Sequence, residues 1–166
     1  MLNGHIKMAD GQNTAFSRIV MGAGSMGCLV DRDTSFQLMD RYFEAGGNAF
    51  DTGRVYMVWI PGGASQSEKT LGDWVKSRGI RNQVRICTKG GHPEWRNFYY
   101  SRIHPECIEY DILTSLAVLQ MEHVDVYYLH RDDENVPVSE IMDALDVHVK
   151  AGRCKALGAS NWTLRR

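Results

Sequence analysis

Four side chains of complementary acid–base character stand at separated points of this 166-residue chain: Asp51, Tyr56, Lys89 and His130. Reduction of a carbonyl group requires a hydride at carbon and a proton at oxygen. A phenol has an ordinary pKa of about 10 and gives up its proton reluctantly at neutral pH. An adjacent ammonium lowers that pKa, a carboxylate can hold the ammonium in place, and an imidazole can orient the oxygen or relay the proton. Brought together, these residue types could protonate a carbonyl oxygen.

The segments that must position these side chains alternate between short apolar runs and stretches with helical spacing. The predicted strands are residues 19–24, 48–52, 84–89, 124–130 and 154–160. The predicted helices are residues 34–45, 65–78, a segment that begins at Pro105 and carries an apolar stripe to Leu119, residues 139–151, and the start of a fifth over 164–166. Apolar residues that recur every three or four positions indicate each helix.

Local signals predict where the first two helices begin and where the second one ends. Thr34 with Gln37, and Ser65 with Glu68, have the spacing of a capping box. Gly79 is expected to end the second helix, since glycine readily adopts the left-handed conformation of a helix C-terminus.

Strictly alternating strands and helices predict an α/β fold with a parallel sheet and right-handed crossovers. An open doubly wound sheet and part of a (β/α)₈ barrel both fit this order. A complete barrel takes about 250 residues, so the chain is predicted to form an incomplete TIM barrel of five parallel strands with intervening helices. Residues 1–17 are a polar lead-in that could form a hairpin across one barrel end. The barrel domain covers residues 18–166 and is expected to be truncated after strand five.

The candidate acid–base residues coincide with the ends of the predicted strands. Asp51, Lys89, His130 and Asn161 lie at or just beyond the ends of strands two to five, and Tyr56 follows in the loop after strand two. Both architectures carry their chemistry at the carboxyl ends of parallel strands. We therefore expect these side chains to meet at one edge of the sheet.

Five features of the chain together resemble the signatures of the aldo-keto reductase family. Residues 50–56 (FDTGRVY) are similar to F-D-T-A-x-x-Y with glycine in the alanine position, residues 67–72 (SEKTLG) to S-E-x-x-L-G, and residues 158–162 (GASNW) to G-x-S-N-[FW]. Lys89 and His130 match the family's lysine and histidine. The resemblance covers about residues 17–166 and implies a (β/α)₈-barrel oxidoreductase.

The resemblance also implies roles and ligands. Tyr56 would be the general acid, assisted by Lys89 and Asp51, and His130 would orient a small aldehyde or ketone. The candidate contacts of the nicotinamide cofactor are Asp51, Ser160, Asn161 and Gly22. NADP(H) is expected, with NAD(H) as the other option, and no metal. Trp59 and Trp95 could line an apolar substrate pocket. The family's adenosine site and stacking aromatic lie in later strand–helix units, so the chain alone is expected to be weak or inactive.

Two other hypotheses remain open from the sequence. Gly22, Gly24 and Gly27 match the G-x-G-x-x-G fingerprint of a Rossmann-type dehydrogenase, but that fingerprint needs a helix that opens within the glycine turn. A loop over residues 28–33 would favour the barrel. Alternatively, the chain is a non-catalytic half-barrel that works only by association, because open sheet edges invite pairing.

Charge and hydropathy argue against two classes of binding partner. The formal net charge is −1 and no dense Lys/Arg cluster occurs, which argues against a nucleic-acid or membrane-surface partner. No apolar run reaches the roughly 20 residues of a membrane span. The four cysteines are widely spaced and form no C-x-x-C pair, which predicts reduced thiols in a cytoplasmic protein.

Overall fold

The computed structural model describes residues 3–166. Its elements in chain order are β1 (Asn3–Lys7), β2 (Asn13–Ser17), β3 (Met21–Gly22), α1 (Arg32–Glu44), β4 (Ala49–Asp51), α2 (Gln66–Arg78), β5 (Arg85–Gly90), α3 (Pro105–Leu119), β6 (Val124–Leu129), α4 (Val138–Lys150) and β7 (Cys154–Ala159).

Strands β3 to β7 form one parallel sheet whose order follows the chain, β3-β4-β5-β6-β7. A doubly wound sheet reverses its strand order at a switch point, and this sheet does not. Helix α1 begins only at Arg32, so residues 28–31 form a loop after Gly27. The Rossmann hypothesis is therefore wrong, and the predicted incomplete barrel is confirmed.

Two predicted elements differ from the structure. Strand one was expected over residues 19–24 but pairs only at Met21–Gly22, because this edge strand has β4 alone as a partner and the chain before it is exposed. Residues 164–166 form a turn rather than a helix, and the Arg166 guanidinium binds Asp132 instead.

Both predicted capping boxes are wrong. The cap of α1 is Asp31, whose carboxylate accepts the backbone N–H of Thr34 at 2.9 Å. Ser65 precedes α2 with φ 60° and makes no side-chain cap bond, because Glu68 is drawn into the core and accepts a hydrogen bond from Thr88 Oγ1 at 2.6 Å. The predicted end of α2 at Gly79, with φ 64°, is confirmed.

The helices cover one face of the sheet, and the main core lies between the helices and this face. Its largest fully buried side chains include Trp74, Phe50, Tyr127 and Met39. The opposite face carries a smaller cluster, in which Met8 and Phe16 pack on Ala49, Cys87 and Val126. Residues 3–17 thus form an antiparallel hairpin across the amino ends of the strands and leave their carboxyl ends open. No helix within residues 3–166 is both long and apolar enough to cross a bilayer.

Candidate active site

Lys89 is the centre of the site. It is the next-to-last residue of β5 and is only 8% exposed. Its ammonium lies 2.6 and 2.5 Å from the two carboxylate oxygens of Asp51, and it donates to the Thr52 carbonyl at 2.8 Å and to the Tyr56 hydroxyl at 3.0 Å. A buried cation surrounded by four oxygens is held in one place, and one of these oxygens is a phenol.

Two glycines allow the Tyr56 ring to approach the sheet. A Cβ atom at Gly24 or at Gly53 would lie 3.3 Å from the nearest carbon of that ring, which is tighter than ordinary van der Waals contact. Gly27 packs on α2, where a Cβ would lie 1.9 Å from Thr70 Oγ1. Gly24 and Gly27 of the apparent dinucleotide fingerprint therefore serve packing, and glycine at position 53 gives Tyr56 room.

His130 stands beside Tyr56 at the end of β6. The two rings meet edge to face with centroids 5.5 Å apart, and the His130 backbone N–H donates to the Gly90 carbonyl at 2.8 Å. Burial, together with the neighbouring His92 and Lys89, lowers the pKa of His130 to about 4. The imidazole is therefore neutral at physiological pH and can polarise a carbonyl without carrying charge.

His92 is a site residue that sequence reasoning passed over. Its ring centroid lies 5.0 Å from that of His130, and its Nδ1 lies 2.7 Å from the Pro93 carbonyl. Since a carbonyl can only accept, Nδ1 carries the hydrogen of this contact. Its position directly after the Lys89-Gly90-Gly91 strand end was the available signal.

An apolar cavity of about 290 Å³ opens next to these two histidines. Its lining residues are Val55, Tyr56, Val58, Trp59, His92, Pro93, Trp95, Phe98, His130 and Arg131. The predicted pocket residues Trp59 and Trp95 both lie there, with ring centroids 5.7 Å apart. Tyr56 and an aromatic wall therefore line the same cavity.

The end of β7 brings Ser160 and Asn161 to the same edge. The Asn161 side-chain amide donates to the His130 carbonyl at 2.9 Å and to Ser160 Oγ at 3.0 Å. Asn161 has φ 63°, a left-handed conformation that asparagine tolerates better than most residues. The exposed amide is thereby fixed to the backbone at the end of β6.

The remaining candidate cofactor contact, Gly22, pairs with Asp51 in the sheet register. A Cβ atom there would meet nothing within 4 Å, and Gly22, Asp51 and Tyr128 line an open cavity of about 520 Å³ between the sheet and the hairpin. A flat polar ring can approach Asp51 from this side. The open approach, the half-exposed carboxylate of Asp51 and the exposed amide of Asn161 fit the nicotinamide end of a dinucleotide.

Potential metal ligands and a thiol also lie near this edge. Within residues 3–166, no three His, Cys, Asp or Glu side chains lie close enough to hold a metal ion. Cys87 lies on the sheet face near Asp51, but burial raises the pKa of its thiol to about 12. This cysteine is therefore a packed thiol and not a nucleophile.

Known proteins resemble this chain in sequence and in fold. The sequence model described as the aldo/keto reductase family matches residues 18–166. A norsolorinic acid reductase of Emericella nidulans is 34% identical over 80% of this chain and 34% of its own length. An aryl-alcohol dehydrogenase (NADP+) of Phanerodontia chrysosporium is 29% identical over 96% of this chain and 44% of its own.

A solved structure with the same fold is a glycerol dehydrogenase of Gluconobacter oxydans. It matches with a TM-score of 0.78 and 24% identity, over 97% of this chain and 49% of that one. The chain therefore spans between about a third and a half of the length of these relatives. On the match to the family's sequence model, the chain belongs to the aldo/keto reductase family.

Proposed function

We propose that this protein takes part in the NAD(P)H-dependent reduction of aldehyde or ketone carbonyls, with Tyr56 as the proton donor. One observation carries the proposal: the Lys89 ammonium contacts both Asp51 and the Tyr56 hydroxyl, beside a neutral His130 and an aromatic cavity. General acid catalysis of this kind contributes about 10²- to 10⁴-fold to rate.

Each side chain then has one task. The carbonyl oxygen lies between the Tyr56 hydroxyl and the His130 imidazole, which orients it. When bound, the reduced nicotinamide supplies a hydride to the carbonyl carbon. Tyr56 passes its proton to the oxygen, and Lys89 stabilises the phenolate that remains. Asp51 holds the ammonium of Lys89 in place.

The proposed substrate is a small aromatic aldehyde. Trp59, Trp95 and Phe98 give the cavity aromatic walls, and aromatic rings prefer the edge-to-face and offset contacts that such walls offer. One relative supports this choice by its name, an aryl-alcohol dehydrogenase. NADP is the preferred cofactor, since that name also carries it.

The five-strand chain by itself is proposed to turn over weakly. A closed TIM barrel has eight strands, and Asp51, Ser160, Asn161 and Gly22 grip only the nicotinamide end of the cofactor. The adenosine end has no proposed contact among the described residues, so we expect binding that is weak and limited to the nicotinamide ring.

The test is a fluorescence titration of the purified chain with NADPH. Gly22→Val is the matched variant, because its side chain would project into open space beside Asp51 and leave the sheet intact. Saturable binding that Gly22→Val weakens at least about tenfold supports the proposed site. A folded chain that binds no NADPH would contradict the proposed site.

Turnover is tested separately. Consumption of NADPH in the presence of benzaldehyde, absent in Tyr56→Phe, would support the proposed reaction.

A second candidate role rests on the sheet edges. Within the described residues, β3 and β7 each pair on one side only, and Ile19, next to β3, is 64% exposed. An unpaired edge with apolar flanks favours association with another chain. Gel filtration with light scattering tests this role, since a monomer at micromolar concentration would exclude self-association through these edges.

A further inference from the structure

Asp111 is a buried carboxylate on α3 that the proposed reaction does not use directly. Its side chain is fully buried, and its two oxygens are divided among three partners. One oxygen accepts the Gly91 backbone N–H at 2.9 Å. The other pairs with Arg54 Nε at 2.8 Å and with the guanidinium of Arg102.

These partners belong to the two loops that form the site. Arg54 stands two residues before Tyr56, and its backbone N–H donates to the Lys89 carbonyl at 3.1 Å. Gly91 stands two residues after Lys89 and directly before His92. Asp111 therefore connects the loop that carries Tyr56 and Trp59 to the loop that carries His92 and Trp95.

We propose that Asp111 is a positioning residue, whose carboxylate holds the Tyr56 loop and the His92 loop at a fixed separation and so sets the width of the aromatic cavity. The inference rests on the proposed function only for its consequence on turnover. Asp111 does not itself line the aromatic cavity.

Neighbouring groups cannot take over this task. Glu94 also pairs with Arg54, at 2.8 Å, but its side chain is 52% exposed and it sits on one of the loops to be held. Asp111 packs closely on the end of β5, since a Cβ added at Gly90 would lie 2.7 Å from the Asp111 Cβ. Asp111 therefore holds both loops from α3, which belongs to neither of them.

Hydrogen exchange followed by mass spectrometry tests the proposal without requiring turnover. The variant is Asp111→Asn, which keeps the size of the side chain and removes its charge. The matched control is Asp125→Asn, since Asp125 is also buried and pairs with an arginine, Arg81, and a backbone N–H, that of Ile86, but near the amino ends of the strands. Asp111→Asn loses ion pairs with two arginines and Asp125→Asn loses one, but each variant removes the charge of one buried carboxylate.

We expect Asp111→Asn to speed exchange at least about tenfold in residues 53–60 and 91–104, relative to the rest of the chain, and Asp125→Asn to leave both loops protected. Uniform acceleration across the chain, or unchanged loops, would overturn the proposal. If Asp111→Asn does not fold, Arg54→Gln decides. Because Arg54 pairs with both Asp111 and Glu94, this variant should loosen residues 53–60 and residues 91–104 relative to the rest of the chain. No selective loosening of these two loops would count against the proposal.

Steady-state rates separate this inference from the proposed function. With NADPH and benzaldehyde, we expect Asp111→Asn to lower kcat/KM at least about tenfold and Asp125→Asn to change it less than about threefold. If the parent chain shows no turnover, the proposed activity of this chain fails, whereas the exchange pattern still supports or overturns the role of Asp111.

Discussion

The ammonium of Lys89 lies 3.0 Å from the Tyr56 hydroxyl, although 33 residues separate the two along the chain. The same ammonium lies 2.5 Å from the carboxylate of Asp51, so one cation serves both an ion pair and a phenol. Lys89 therefore contributes both to the stability of the fold and to proton donation, whereas Tyr56 contributes mainly to proton donation. Substitutions at the two positions should separate these two contributions.

We expect Lys89→Met to destabilise the chain by about 2 kcal/mol, because a buried pair loses one partner and Asp51 remains only half exposed. Tyr56→Phe leaves that pair intact and should cost less than about 1 kcal/mol. In the proposed reaction both should lower kcat at least about 100-fold. Urea unfolding and NADPH consumption measure the two effects, and an equal loss of stability in both variants would contradict this account of Lys89.

His130 should make stability depend on pH in the acid range. Its pKa falls from 6.5 in an unfolded chain to about 4 in the folded one, because burial disfavours the imidazolium. The unfolded state then binds more protons between these values, so stability is lost as pH falls from 6.5 toward 4. A complete shift is equivalent to about 3 kcal/mol, which partial exposure reduces to about 1 kcal/mol.

His130→Gln should remove that contribution. We expect the difference in unfolding free energy between pH 7 and pH 4.5 to be about 1 kcal/mol smaller in the variant than in the parent chain. Urea unfolding at the two pH values measures it. Identical pH dependence in the two proteins would show that the imidazole is not held neutral by burial.

Gly90 is required for packing at the end of β5. A Cβ atom there would lie 1.9 Å from the Tyr127 hydroxyl oxygen, so we expect Gly90→Ala to destabilise the chain by about 3 kcal/mol. Gly4→Ala is the control, since its Cβ would meet nothing within 4 Å. Tyr127→Phe removes the clashing oxygen, which has no hydrogen-bond partner among residues 3–166. Thermal unfolding should therefore show partial rescue in the double variant, and additive losses would contradict the clash.

Glu68 should destabilise the chain as pH rises. Its side chain is wholly buried, and burial raises the pKa of its carboxyl group. The unfolded state then releases the proton more readily, so stability present at low pH is lost as pH rises through the raised pKa. Glu68→Gln keeps an oxygen to accept from Thr88 and cannot ionise. We expect its melting temperature to exceed that of the parent by a few degrees at pH 8, with a gap that narrows toward pH 4.5.

An exposed glutamate provides the control for that comparison. Glu134 lies exposed in the loop before α4, so Glu134→Gln should change the melting temperature little at either pH. A Glu68→Gln variant that is less stable than the parent at pH 8 would show that the buried carboxylate is favourably paired when ionised.

Residue types and spacing were enough to predict the sheet, the helices and the edge at which Asp51, Tyr56, Lys89 and His130 meet. Parallel strands that alternate with helices must place their carboxyl ends together, so four separated positions in the chain become one edge. Period and order are properties of the chain itself, and Pro105 and Gly79 mark element boundaries by their own backbone preferences.

Other features arose only in the folded chain. Glu68 has the spacing of a helix cap, but the packing of α2 on β5 turns it toward Thr88 and into the core. The approach of His92 to His130, and the hold of Asp111 on two loops, join residues from different elements. Sequence alone determined which groups stand at the strand ends. Tertiary packing decided which of them are buried, paired or neutral, because burial and pairing depend on distances between elements that no local pattern records.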